Sequence, residues 1–374
     1  MTETAEAIVI GAGPAGLAAA KCLADIGLRP LVLEKDKTVG STWRRHYERL
    51  HLHTPRDLSA LPGLPIPREA GTFPTREAVI AYLDSYANTF NIAPRFGTEV
   101  KAIAREGQQW RIATRDGLFL APLIVMATGW SSFPSRPKLE GEASFSGGIL
   151  HSSAYRNPTP YTGKRVLLVG FGNSGAEIAL DLAEYNVDVS LSLRSPANVL
   201  PRELFGISVL RYAIAQKFLP PRFADMLNAP LLRFAMGNLA AIGIAKPTKG
   251  ALETIRDEGK IPVLDVGTCA MIRAGKIKVF PGITKLAGPN AHFVDGLNAP
   301  FDAIILATGF VPDWRSIFAS EPALFDAKGL PRASDGPPAA PGLYFLGARP
   351  VATGELREIA LGARRIASHY ARGR

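Results

Sequence analysis

Two glycine-rich loops with the spacing G-x-G-x-x-G lie on this chain: Gly11-Ala12-Gly13-Pro14-Ala15-Gly16 and Gly170-Phe171-Gly172-Asn173-Ser174-Gly175. Backbone without side chains at those positions can close on a pyrophosphate, whose charge then rests on the amides of the helix that follows. Each loop comes after an apolar run, Ala7-Ile8-Val9-Ile10 in one case and Val166-Leu167-Leu168-Val169 in the other. The next apolar run ends differently in the two cases. After the first loop, Pro30 to Leu33 ends in Glu34 and Lys35; after the second, Val187 to Leu193 ends in Arg194 and Ser195. A carboxylate at that strand end suits two ribose hydroxyls, whereas an arginine suits a 2′-phosphate. The residues therefore call for two different dinucleotides, FAD at the first loop and NADPH at the second. Electron transfer from nicotinamide to flavin is the chemistry that this pairing implies.

The elements that must position these loops form an approximate repeat. Each half opens with strand, glycine loop and helix. Each half closes with an apolar strand running into Ala-Thr-Gly: Leu123 to Met126 into Ala127-Thr128-Gly129, and Ala303 to Leu306 into Ala307-Thr308-Gly309. The separations are comparable, 116 residues from Gly11 to Ala127 and 137 from Gly170 to Ala307. Such a pattern predicts an α/β protein with two Rossmann-like dinucleotide-binding domains. The tail Gly342-Leu343-Tyr344-Phe345-Leu346-Gly347 reads as one more buried strand returning to the first sheet, followed by a closing helix from about Glu355 to Tyr370. The NADPH domain (161–309) would then be inserted into a discontinuous FAD domain (1–160 and 310–374). Residues 200–247 are rich in Leu, Phe, Ile, Ala and Met with Arg at intervals, and Pro220, Pro221 and Pro230 break them. They read as short helices covering a substrate pocket, as ordinary core helices, or as a contact with a membrane surface. No stretch reaches the roughly 20 apolar residues needed to span a bilayer.

Composition excludes other classes. At 374 residues with 47% hydrophobic and 20% charged residues, the chain can build two real cores. Its net charge of +10 is spread out with no run of five basic residues, which fits anionic cofactors and not nucleic acid. Cys22 and Cys269 are the only cysteines and lie far apart, so there is no C-x-x-C dithiol relay and no disulfide framework. A reducing cytoplasm is therefore the expected location, and Met1 to Glu6 is expected to lead directly into a strand without a signal peptide. His46, His51 and His53 lack companions at zinc spacing, so no metal site is expected. No G-x-S-x-G elbow is present. Oligomeric state is not legible; a dimer is one option.

Between the halves, Phe145-Ser146-Gly147-Gly148-Ile149-Leu150-His151-Ser152-Ser153-Ala154-Tyr155 matches the FxGxxxHxxxY sequence of flavin-dependent monooxygenases. From there the chain resembles that family over nearly its whole length. Gly40-Ser41-Thr42-Trp43 is similar to its flavin-adjacent GGxW segment, with Ser41 in place of the second glycine. Tyr47 to Pro55 is similar to the YDRLRLHLP segment of the YUCCA branch. So are Pro201 to Ser208 and Ile277 to Ile283, and Ala307-Thr308-Gly309-Phe310 followed by Trp314 is similar to the family's ATGY/F closure. Tyr155 stands where Baeyer–Villiger enzymes usually carry tryptophan, and His53 where animal-type relatives carry a flavin-adjacent asparagine. The ending Thr353 to Ile359 differs from that of the plant enzymes.

The resemblance implies a class B monooxygenase. NADPH would reduce FAD, and O₂ would add to the reduced flavin as a C4a-hydroperoxide that oxygenates a small substrate. For the YUCCA-like branch that substrate is indole-3-pyruvate, decarboxylated oxidatively. Other relatives oxygenate nitrogen or sulfur; the rival classes are an NADPH oxidase or reductase without oxygenated product and a non-enzymatic flavin-binding redox sensor, which simple NADPH consumption would argue against. His53, His151 and Trp43 are the residues the resemblance offers as supports for catalysis.

Overall fold

The computed structural model describes residues 2–130 and 133–373. The chain divides into two units: Met1–Arg44, Thr54–Phe133 and Phe310–Arg374 make the first, Arg45–His53 and Pro134–Gly309 the second. The second is thus inserted into a discontinuous first.

In the first unit the strand Ala7–Ile10 is buried at every position, as four consecutive apolar residues in a parallel sheet must be. Pro30–Leu33 pairs on one side of it and Ile124–Met126 on the other, both parallel. Leu343–Phe345 extends the sheet beyond Ile124–Met126, setting Leu343 opposite Ile124. The tail strand therefore closes the sheet that the first residues open. Helix Pro14–Ala24 leaves Ala7–Ile10 through the glycine loop, and the closing helix Glu355–Arg372 packs along it. A second, four-stranded sheet combines Thr2–Thr4 with the meander Val100–Glu106, Gln109–Thr114 and Leu118–Ala121. Trp110, Trp314, Phe318 and Phe345 fill the core on this side.

The second unit repeats the plan. Its five parallel strands run in the order Ile277–Pro281, Asp188–Leu193, Arg165–Val169, Ala303–Leu306 and Gly148–His151. Helix Asn173–Glu184 follows the second glycine loop and packs on Asp188–Leu193. Three points differ from the sequence reading. Residues 45–53, expected in the first domain, belong to the second unit. The division falls between Phe133 and Pro134, not at 160, because Gly148–His151 is the edge strand of the second sheet, beside Ala303–Leu306. Pro230 does not break the apolar segment: it lies inside helix Pro221–Met236. A proline there removes one i→i−4 hydrogen bond but keeps a helical φ. Pro221 occupies the first turn of that helix, where its missing N–H is harmless. Among the described residues no helix is long and apolar enough to cross a membrane.

Candidate functional site

Each glycine loop builds a cradle, and the two are near-copies. Gly11 and Gly170 take φ values of +105° and +104°, in the region that favours glycine. A Cβ on either would stand 2.6 Å from a carbonyl oxygen, that of Ala127 in the first unit and of Ala307 in the second. A Cβ on Gly16 would collide with the Gly11 carbonyl, and one on Gly175 with that of Gly170. Strand end, loop, helix start and Ala-Thr-Gly turn thus pack backbone on backbone in both units. Gly13 and Gly172 behave differently: a Cβ there would meet no protein atom within 4 Å. These are the N-cap positions of the two helices; neither has a side-chain cap or an acidic residue in the first turn. The helices Pro14–Ala24 and Asn173–Glu184 thus each begin beside a glycine with open space at its Cβ position, which fits a pyrophosphate on their first amides. Pro14 at the first position adds no donor but fixes the helical φ, leaving the Ala15 and Gly16 amides.

The strand ends carry the difference between the cradles. Glu34 is buried; its Oε2 accepts from the Ala12 amide at 2.7 Å and its Oε1 from the Asp36 amide at 2.9 Å. The carboxylate is fixed at the loop with lone pairs to spare for ribose hydroxyls. Lys35 points into solvent. Gly40, with φ +62°, donates its amide to the Ala12 carbonyl at 3.0 Å, so Gly40 to Trp43 abuts the first loop. Ser41, in place of the family's second glycine, is buried and donates to the Thr38 carbonyl at 2.6 Å. Trp43 is half-buried in the short helix Ser41–Arg45. Thr128 accepts from the Trp314 indole at 3.0 Å. In the second unit Arg194 and Ser195 are both exposed. The Arg194 stem lies along Gly282, where a Cβ would be 3.4 Å from its Cγ. Among the described residues its guanidinium has no hydrogen-bond or ion-pair partner. Asn173 turns away from the loop: its amide group donates to the Pro262 carbonyl and accepts from the Leu264 amide at 2.7 Å. It anchors the Val263–Asp265 strand and contributes to the cradle through its backbone.

The histidines are placed by the second unit. His151 accepts from the Ser153 amide at Nδ1 (3.1 Å), so Nε2 carries the proton and donates to the Gly309 carbonyl at 3.0 Å. It ties the edge strand to the Ala307-Thr308-Gly309 turn, which Thr308 also holds through the Ser135 carbonyl. Burial lowers its proton affinity. His53 pairs through Nε2 with the buried Glu177 of the fingerprint helix. This was not legible in the sequence, and it belongs to a larger arrangement. Ser174, Glu177, Asp181 and Glu184 share one face of Asn173–Glu184 at helical spacing. Tyr47 reaches Ser174 and Glu177, Tyr155 donates to Asp181 at 2.7 Å, and Arg49 pairs with Glu184. Burial, and next the charge of Glu177, pushes the Tyr47 hydroxyl far up; burial also raises Asp181. The signal that could have found these partners is the polar face itself, on a helix whose other residues, Asn173 apart, are apolar.

Comparison with known proteins agrees with this geometry. Residues 8–209 match the pyridine nucleotide-disulphide oxidoreductase family. A flavin monooxygenase from Stenotrophomonas maltophilia has the same fold, with a TM-score of 0.75 at 24% identity, covering 98% of this chain and 99% of that one. A steroid monooxygenase bound to NADP superposes with a TM-score of 0.77 at 20% identity, over 98% and 85% of the two chains. Among curated proteins, a probable indole-3-pyruvate monooxygenase of Arabidopsis thaliana, YUCCA4, is 36% identical over 349 residues, 91% of this chain and 84% of its own. The rice indole-3-pyruvate monooxygenase YUCCA1 is 40% identical over 316 residues, 82% and 78%. Fold and cradles define a two-dinucleotide flavoprotein oxidoreductase, with FAD and NADPH as its cofactors. Within that class the chain belongs to the YUCCA family of NADPH-dependent flavin monooxygenases. Disulfide chemistry, which the broader family name suggests, has no place here. Cys22 and Cys269 are buried in different units, and burial pushes their thiols up to about 11 and about 12.

Proposed function

We propose that this enzyme oxidatively decarboxylates indole-3-pyruvate or a similar 2-oxo acid, with FAD held by the first unit and NADPH by the second. The observation that carries the division of labour is the contrast at the strand ends: a buried, doubly anchored Glu34 against an exposed Arg194 that has no partner among the described residues. Bound FAD supplies the hydride acceptor for NADPH and the means to transfer one oxygen atom from O₂. The overall change balances as 2-oxo acid, O₂, NADPH and a proton giving the shortened acid, CO₂, water and NADP⁺.

The protein's part is binding and order. Gly11, Gly13, Ala15 and Gly16 receive the FAD pyrophosphate on the helix amides, Glu34 takes the ribose hydroxyls, and Thr128 and Gly129 close the cradle. Gly170, Gly172, Ser174, Gly175, Ala307, Thr308 and Gly309 do the same for NADPH, and Arg194 with Ser195 meets the 2′-phosphate. His53 and His151 act as positioning residues. His53 clips the 45–53 segment to the NADPH helix through Glu177, and His151 fixes the turn that backs Gly170. Trp43 acts from the segment beside the first loop.

The test is product analysis under ¹⁸O₂ with FAD-loaded protein, NADPH and indole-3-pyruvate. Equal amounts of NADP⁺, CO₂ and indole-3-acetate, with one ¹⁸O in the new carboxylate, are expected. NADPH consumption that yields only hydrogen peroxide would refute oxygenation. An inert indole-3-pyruvate alongside an oxygenated amine or thioether would refute the substrate.

A further inference from the structure

Helix Pro221–Met236 is amphipathic the wrong way round. Phe223, Met226, Leu227, Pro230, Leu231 and Phe234 recur at helical spacing and form one continuous stripe, and every one of them is exposed. Phe234 is 80% exposed and Met226 61%; Phe218, just before the helix, is 85% exposed. Two of its polar residues, Asp225 and Asn228, turn inward instead. Asp225 accepts the amides of Leu252 and Glu253 at 3.1 and 3.0 Å and so caps helix Ala251–Glu258. Asn228 exchanges two hydrogen bonds with Gln216, at 2.9 and 2.8 Å. Single exposed apolar residues are ordinary, but an ordered stripe of six is a surface built to be covered.

The charges identify the cover. Residues 205–247 contain five basic residues (Arg211, Lys217, Arg222, Arg233 and Lys246) and a single acid, Asp225, which faces inward. Lys217 lies over the Phe218 ring at 4.7 Å from its centroid, Arg233 is exposed at one end of the stripe, and Arg222, exposed at the other, pairs with Glu253 at 2.6 Å. A second copy docking on the same face would bring basic residues onto basic residues. An anionic lipid surface meets both features: phenyl, leucyl and methionyl side chains enter the acyl boundary while Lys and Arg remain with the phosphates. At 16 residues the helix is about 24 Å long, too short to span the hydrocarbon but suited to lying in its plane. From this we infer that Phe218 and the outward stripe of Pro221–Met236 form a docking surface for a bilayer bearing anionic phospholipid. The inference is independent of the substrate reading.

The experiment is co-sedimentation of the full-length, FAD-loaded protein with vesicles of phosphatidylcholine alone, or with about one-third phosphatidylglycerol. Binding to the anionic vesicles should exceed that to phosphatidylcholine at least about tenfold and should fall with salt. Joint substitution of Phe218→Ser and Phe234→Ser should lower binding at least about tenfold, while flavin content and far-UV circular dichroism stay unchanged. A second variant, Lys217→Glu with Arg233→Glu, should abolish the preference for anionic lipid and keeps the test decisive if the first folds poorly. No binding, equal binding to both lipids, or serine variants that bind like the parent would overturn the inference. So would loss of a concentration-dependent dimer in the serine variant with vesicle binding intact, which would assign the stripe to a second copy.

Discussion

Replacing Arg194 by alanine isolates the residue that sets the second cradle apart from the first. The guanidinium is exposed and has no protein partner among the described residues, so its removal leaves no buried group unpaired. Its stem lies along Gly282 on the surface, and the fold should lose little. The effect should therefore fall on the ligand. A unit charge about 4 Å from an anionic phosphate oxygen interacts by about 1 kcal/mol in water and about 4 kcal/mol at an effective dielectric of about 20. Hydrogen bonds to charged groups are worth a net of about 1.5–3 kcal/mol, inside that range. Affinity for NADPH should drop about ten- to a hundredfold while affinity for NADH, which lacks the phosphate, stays level. Rapid-mixing measurements of flavin reduction against NADPH and NADH concentration give both dissociation constants. An unchanged ratio between them would show that another residue reads the phosphate, and the argument from the strand end would fail.

The N-cap glycines offer a cleaner contrast than the other fingerprint positions, because a Cβ at Gly13 or Gly172 meets no protein atom. Gly13→Ala should purify folded but without flavin, and Gly172→Ala should keep its flavin yet be reduced poorly by NADPH; equal flavin loss in both would contradict the two-cradle assignment. His53→Ala leaves the Glu177 carboxylate buried without its imidazole partner, a loss of about 2–3 kcal/mol. Urea denaturation of His53→Ala, Glu177→Gln and the double variant should show clear non-additivity, and additive losses would mean the contact carries no energy. His151 gives a pH dependence. Burial holds its folded proton affinity below the ordinary value of 6.5, so the unfolded chain takes up the proton first as pH falls. Its contribution is complete above about pH 6.5 and is lost below it. Denaturation midpoints should decline from neutral pH toward pH 5.5, and less so in His151→Gln; an equal decline in both would assign the effect elsewhere.

Much of the fold was legible because it rests on local rules. Four apolar residues, a glycine loop and a helix-forming run leave the backbone few alternatives, and both copies of Gly11/Gly170 adopt nearly the same φ. The Ala-Thr-Gly closures were equally readable, since an apolar strand ending in small residues fits beside a glycine loop. The unit boundary was less so: Gly148–His151 has too weak a strand pattern to announce which sheet it joins, and pairing with Ala303–Leu306 settled it. Pro230 was misread because a proline signals a break, whereas a solvent-facing helix position can forgo one hydrogen bond.

The sequence by itself determined the two glycine-loop cradles, the contrast between Glu34 and Arg194 at the strand ends, and the family. These depend on residue types within a few positions of one another, where geometry follows from covalent spacing. Tertiary structure decided what each side chain touches across long separations. His53 meets Glu177 from 124 residues away, His151 meets Gly309 across 158, and Asn173 turns from its loop to Leu264. Tertiary structure also decided that the apolar stripe of Pro221–Met236 faces outward. Periodicity fixes that a helix has an apolar face, but only the packing of its polar face against the rest of the unit fixes which way that face points.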